Sequence, residues 1–308
     1  MNPDADLPPP WPDELQAVFR EARGRVWKTE AEVQAFVSRR MAEYNATPQP
    51  ELGGLSPQQA ASLFSGDWET SGALRLPSLP AVDVADAPIL KDARVVLETL
   101  AEQPLSATAT GNLNRAAVRL LLDRGATQDP WLDDLRAKNR AINELEAFPL
   151  HLVRITCELG HLLRRARGAF RITRRGRELV AGDRAGELFR TLFITYHRDL
   201  NHEYVSRGWP NPALQQTVAF CFHQLGRLAR DWVTPEAIAA DAVLPAAHPR
   251  QDPGGFDELA IQFSARVVHP LVRFGLLERR PLPGRASELG DHEIRKTPVF
   301  DRFLRFEL

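Results

Sequence analysis

The segment Tyr196-His197-Arg198-Asp199-Leu200-Asn201-His202-Glu203 puts two imidazoles and two acids side by side. That set of side chains could hold a divalent metal. The spacing argues against it. A metal-binding helix carries its histidines at i and i+4, so that both rings point one way. His197 and His202 are five residues apart, about 140° round a helix. The segment therefore predicts a polar helix end beside the linker-like SRGWPNP, and no metal.

Other chemistry is equally poorly supported. His223 sits beside Phe222 and Leu225 and predicts a packed core histidine. Cys157 and Cys221 lie in apolar helical patterns, outside any Gly-rich elbow, and predict buried thiols. There is no G-x-S-x-G, no P-loop and no G-x-G-x-x-G. Asp133 and Asp134 are neighbours on a predicted helix, so their carboxylates diverge. No catalytic residue and no cofactor is implied, and the chain reads as a non-enzyme.

What remains is arginine. Between Arg154 and Arg177 lie Arg154, Arg164, Arg165, Arg167, Arg171, Arg174, Arg175 and Arg177, with Glu158 as the one acid. This window carries +7, although the whole chain carries −1. A basic island on an acidic body marks a binding face better than the total does. Arginine forks match phosphate oxygens, and released counterions supply the affinity. The expected partner is double-stranded DNA, met mainly through phosphates; the rival is a protein partner on a non-catalytic scaffold.

The elements that must position these arginines can be read from the pattern. His161–Ala166 predicts a strand, Arg167-Gly168 a tight turn, and Ala169–Thr173 the returning strand, with Phe170 and Ile172 alternating against Arg171. RRGRELV then starts a helix. Upstream, ILKDARVVLETLAEQ has helical spacing and LSATATG (105–111) is β-leaning. NLNRAAVRLLLDRG is a helix closed by Gly125, residues 131–146 form another, and PLHLVRITCELG a short one ended by Gly160. That last helix is mostly apolar. It offers His151, Arg154, Thr156 and Glu158, and no Asn or Gln to read adenine.

Helix, short strand, helix, helix, strand, turn, strand is the order of a winged-helix domain. The C-terminal third repeats it: Gly275-Leu-Leu-Glu-Arg-Arg280 matches His161-Leu-Leu-Arg-Arg165, and Ile294-Arg-Lys-Thr297 matches Phe170-Arg-Ile-Thr173. This second wing, with Arg279, Arg280, Arg285 and Arg295, also contains Glu288, Asp291 and Glu293. The helix before it, FDELAIQFSARVVHPLVRFG, is expected to kink at Pro270. Residues 1–80 read as a helical segment with capping boxes at Thr29–Glu32 and Ser56–Gln59. VQAFVSRRMAEYN would present Val33, Phe36, Val37 and Met41 on one face. The second box would start QQAASLFSGDW, with Phe64 and Trp68 in the core. The Pro-rich LPSLPAVDVADAP (76–88) places a boundary.

The wing resembles that of bacterial winged-helix regulators of the MarR type. There the apolar strand residues pin the hairpin to the core, and the Thr and Gly open the next helix. Leu52-Gly-Gly-Leu-Ser-Pro57 with Trp68, and Thr108-Ala-Thr-Gly-Asn-Leu113, also resemble a set of uncharacterised bacterial winged-helix proteins. The expected fold is mainly α with small β-hairpins: a helical segment 1–80, then tandem winged-helix domains at 84–205 and 210–308.

Composition supports this class. At 308 residues and 44% apolar, the chain can bury a sizeable core. No apolar window is long enough to span a bilayer, and the acidic, Pro-rich start is no secretory signal. Two cysteines imply no disulfide framework, so a cytoplasmic location is expected, and the resemblance to MarR-type regulators implies a regulatory role.

Overall fold

Ser56 opens a helix as its sequence requires. Its hydroxyl accepts from the Gln59 amide, the Gln59 side chain accepts from the Ser56 amide, and Pro57 takes the first turn. Thr29 caps differently. It accepts from the Glu32 amide, but the Glu32 carboxylate reaches the amide of Lys28, one residue further out. These helices belong to the first of two compact units, Met1–Leu63 with Leu308 and Phe64–Glu307. The structure is a computed structural model and describes residues 13–127, 130–138, 141–181, 183–205, 210–249, 257–282 and 292–308.

The first unit contains α1 (Asp13–Arg23), α2 (Glu30–Ala46) and α3 (Pro57–Ser62). Of the predicted α2 face, Phe36 is the residue that is buried, under the Arg25 guanidinium and beside Trp27. Gly53 and Gly54 both have positive φ, which explains the paired glycines after Leu52. Helix α3 stops well short of Trp68. The Asp67 carboxylate instead accepts from the amides of Glu69, Thr70 and Ser71, an arrangement that competes with helix. Phe64 is left exposed, whereas Trp68 is buried.

The second unit holds β1 (Leu74–Arg75), α4 (Ala81–Val84), α5 (Pro88–Glu102), β2 (Leu105–Ser106), α6 (Arg115–Asp123), α7 (Pro130–Lys138), α8 (Phe148–Leu159), β3 (Leu163–Ala166), β4 (Ala169–Ile172), α9 (Arg174–Val180) and α10 (Ala185–Ile194). It continues with α11 (His202–Val205), α12 (Pro212–Gln216), α13 (Val218–Leu228), α14 (Pro235–Ala242), α15 (Glu258–Phe263), α16 (His269–Arg273), β5 (Leu277–Pro281), β6 (His292–Lys296), α17 (Pro298–Phe303) and β7 (Arg305–Phe306). The protein is thus mainly helical, with small antiparallel sheets ordered β1-β7, β2-β4-β3 and β5-β6. No helix among the described residues is long and apolar enough to cross a membrane.

Two hairpins in this unit share one local frame. Thr173 and Thr297 each follow a second strand. Thr173 donates its amide to the Leu162 carbonyl and its hydroxyl to His161 and Leu162; Thr297 does the same to Leu276, and to Gly275 and Leu276. His161 and Gly275 both have positive φ. The inner strands also match: Leu105 pairs with Phe170, and Val233 bridges to Ile294. Strand β2 and the single-residue bridge at Val233 each precede a capped helix, α6 behind Asn114 and α14 behind Thr234.

Between α15 and α16 lies a wide turn, Ser264–Val268, closed by the His269 amide on the Ser264 carbonyl. Pro270 has no amide to donate and its ring crowds the preceding turn. A second such turn, Thr195–Asp199, follows α10. The core around it is aromatic. The Phe193 ring meets Trp68, His197, Phe222, Phe274 and Phe303 at centroid distances of 6.4, 4.5, 5.5, 5.0 and 5.0 Å. Asp92 on α5 and Arg273 on α16 form an ion pair at 2.7 Å, and Arg273 also donates to the Pro149 carbonyl. Burial raises the Asp92 carboxyl pKa, although Arg273 and the Thr127 amide pull the other way.

Candidate nucleic-acid interface

The arginine-bearing hairpin is built by a two-residue turn. Arg167 and Gly168 both have positive φ, the geometry that joins two twisted strands most directly. The register is Leu163 to Ile172, Arg164 to Arg171, Arg165 to Phe170 and Ala166 to Ala169. Strand alternation then sorts the residues. Leu163, Phe170 and Ile172 are buried, whereas Arg164 and Arg171 oppose each other on the outer face.

Arg165 is also exposed, but it folds over the turn after β2. A Cβ on Gly111 would lie 2.1 Å from its guanidinium nitrogen, so the glycine makes room for the side chain. Gly176 is needed for a closer approach: a Cβ there would lie 2.1 Å from the Leu162 carbonyl oxygen. Thr173 caps α9 by accepting from the Gly176 amide, which is how the Thr-x-x-Gly pattern positions this helix.

On α9, Arg174 pairs with Glu178 at 2.7 Å. Arg175 reaches the Gly160 carbonyl and the Thr191 hydroxyl, and Arg177 reaches the Ala101 carbonyl. Among the described residues, Arg164, Arg165, Arg167 and Arg171 make no ion pair or hydrogen bond to a carboxylate. Opposed like charges on a hairpin are destabilising by a few tenths of a kcal/mol or more.

Arg154 departs from this set. It lies inside the protein, 5% exposed. Its guanidinium donates to Glu144 at 2.8 Å and to Glu158 at 2.7 Å, and stacks 5.0 Å above the Phe170 ring. It braces the hairpin from behind and has no surface to offer a phosphate. Helix α8, which carries it, is buried on nearly every side by α5, β3 and the Thr195–Asp199 turn. His151 and Thr156 are also buried. The basic surface therefore continues from the hairpin onto α9, and not onto α8.

The second hairpin is electrically quieter. Arg280 pairs with Glu293 and Arg295 with Glu278, both at 2.7 Å, and the two guanidiniums stack on Trp232. Arg279 is exposed; Arg285, Glu288 and Asp291 lie outside the described residues.

Behind the first hairpin sits a polar group that sequence reasoning missed. Glu144 is 1% exposed and accepts from the Leu113 amide, His151 Nδ1 and Arg154. Burial opposes its charge, but the His151 hydrogen bond, the Arg154 charge and the Leu113 amide outweigh it and hold its pKa below the ordinary value. The other His151 nitrogen, Nε2, meets the Tyr204 hydroxyl at 2.6 Å. Glu144 lies in the polar stretch INELEAF, where nothing distinguishes it from Glu146. Its partners are brought to it by the fold.

The histidines of the opening segment are not at a polar helix end. His197 is fully buried among aromatic rings, and neither ring nitrogen has a partner. Burial drives its pKa well below the usual histidine value. His202 Nε2 bonds the Tyr196 carbonyl, and burial lowers its pKa to about 4. Among the described residues, no three His, Cys, Asp or Glu side chains are grouped to hold a metal. His223 is half-buried against Phe306, and the two cysteines are buried and unpaired.

Residues 85–186, about a third of the chain, match the family model of the Y4jL N-terminal domain. The match covers α5 through the start of α10, and so includes the hairpin together with Glu144, His151 and Arg154, whereas Tyr204 lies outside it. No curated protein and no solved structure matches the chain.

Proposed function

We propose that residues 84–205 and 210–308 are two winged-helix modules and that the first hairpin docks on duplex DNA through phosphates. The observation that carries this reading is the set Arg164, Arg165, Arg167 and Arg171, exposed on one hairpin with no described carboxylate to neutralise it. Element order and the shared hydrogen-bond frame of the two hairpins support the repeat. As in the regulators that the wing resembles, such binding would serve transcription control.

The contact is positioning, not base readout. A winged helix that reads sequence inserts an exposed helix into the major groove. Here α8 is covered and its polar side chains are engaged internally, so it has no bonds to offer bases. A sequence-tolerant phosphate grip is what the hairpin alone can provide.

A salt series of duplex binding tests this. Four phosphate contacts give log K against log salt a slope of about −3.6. Unrelated duplexes should bind within a few-fold of each other. Absence of salt-sensitive binding at low ionic strength would overturn the reading and leave a protein partner as the alternative.

A further inference from the structure

Glu144, His151 and Tyr204 stand in series, from a buried carboxylate to a surface phenol. Glu144 Oε1 is 2.8 Å from His151 Nδ1, and His151 Nε2 is 2.6 Å from the Tyr204 oxygen. The ionised carboxylate can only accept, so Nδ1 carries a proton. In the neutral ring Nε2 then holds a lone pair, and the Tyr204 hydroxyl donates to it. Glu144 and His151 are buried, while Tyr204 is 45% exposed. This is the order of orienting acid, base and accessible nucleophile that activates hydroxyl groups generally.

The Arg154 guanidinium lies 3.3 Å from His151 Nδ1, but it is paired with two carboxylates: Glu144, Glu158 and Arg154 are joined by 2.7–2.8 Å ion pairs and sum to −1. A proton arriving on His151 brings the cluster to neutrality.

We infer that Tyr204 is an activated nucleophile that accepts a phosphoryl group at its phenol oxygen, with His151 as base and Glu144 as the positioning residue. The phenol oxygen attacks phosphorus and its proton passes to His151 Nε2. The bond from phosphorus to the leaving group breaks, and the leaving group departs with the electron pair. The donor is an activated phosphoric or phosphonic compound with a good leaving group. Phosphoryl is favoured over acyl because the imidazolium left behind faces the new ester. It can donate to the phosphoryl oxygen, which is a stronger hydrogen-bond acceptor than an acyl carbonyl oxygen.

The chain contains three tyrosines, which supply internal controls. Tyr44 is half-buried without such a relay, and burial raises the Tyr196 pKa to about 12. The full chain is treated with an alkyl fluorophosphonate, and modification is mapped by peptide mass spectrometry. The expected result is modification of Tyr204 at least tenfold faster than Tyr44, with one fluoride released per site. Glu144→Gln and His151→Gln should bring the Tyr204 rate to that of Tyr44 while the thermal midpoint is followed separately. The comparison of Tyr204 with Tyr44 in the wild-type protein decides even if those variants fail to fold. Equal rates for the two tyrosines would overturn the inference. Reaction with p-nitrophenyl acetate but not with the fluorophosphonate would overturn the phosphoryl assignment.

Discussion

Arg164 and Arg171 face each other directly across the first hairpin, and no described carboxylate pairs with either. Such an arrangement costs stability when the protein is alone and is relieved by an external anion. Replacing both with Ala should leave the fold intact or slightly more stable, because Leu163, Phe170 and Ile172 hold the hairpin from the other face. On the DNA reading, the salt slope should flatten by about two units, equally for unrelated sequences. Fluorescence anisotropy over a salt series measures this, and an unchanged slope would move the contact elsewhere.

Arg167 adopts a positive φ at the hairpin turn, where a residue with a Cβ is strained. Arg167→Gly and Arg167→Asn should each raise stability by up to about 1 kcal/mol. The same changes should weaken duplex binding by one phosphate contact. Thermal and binding measurements on one variant would therefore move in opposite directions. A loss of stability would show that the arginine makes a compensating contact.

Stability should fall in acid, and the histidines set the window. His197 lies well below its ordinary pKa, and His202 and His269 are each lowered to about 4, in every case first by burial. Below an unfolded value of about 6.5 the unfolded chain binds protons that the folded one refuses. The stability these groups contribute is fully present above that pH. It is lost as pH falls towards 4, at about 1.4 kcal/mol per pH unit for each histidine. On acidification the urea midpoint of the wild type should fall faster than that of His197→Phe, so the difference between them should change with pH. Parallel curves between pH 7 and 4.5 would refute this assignment.

Cys157 and Cys221 should be inert in the native state. Burial raises both thiols to about 12, so little thiolate exists to react. Maleimide labelling should require unfolding, and both sites should then label together. Rapid labelling of either in the folded protein would contradict their placement in the core.

The hairpin is legible because its signals are local: Phe170 and Ile172 alternate with Arg171, Gly168 turns the chain and Thr173 caps the next helix. The orientation of Arg154 is not. It is fixed by Glu144, ten residues away, and by Phe170 on another element. Tyr204 lies 53 residues from its partner His151. The predicted helix 131–146 fails for a local reason. The Glu146 carboxylate takes the Asn143 amide at 2.6 Å and stabilises a turn, so residues 143–146 do not continue the helix described over Pro130–Lys138. The position of His197 shows the limit of spacing arguments: five residues apart excludes one metal geometry but says nothing of burial.

The ring of Phe193 has a consequence for how the second unit comes apart. Its neighbours arrive from widely separated places in the chain: Trp68 from before α4, Phe222 from α13, Phe274 from beyond α16 and Phe303 from α17. Neither hairpin-bearing half can withdraw from this cluster without exposing aromatic surface that packs against the other. The two hairpin-bearing halves, whatever each binds, are therefore expected to melt in one cooperative transition. A cut between them would leave two sticky fragments instead of two independent folding units.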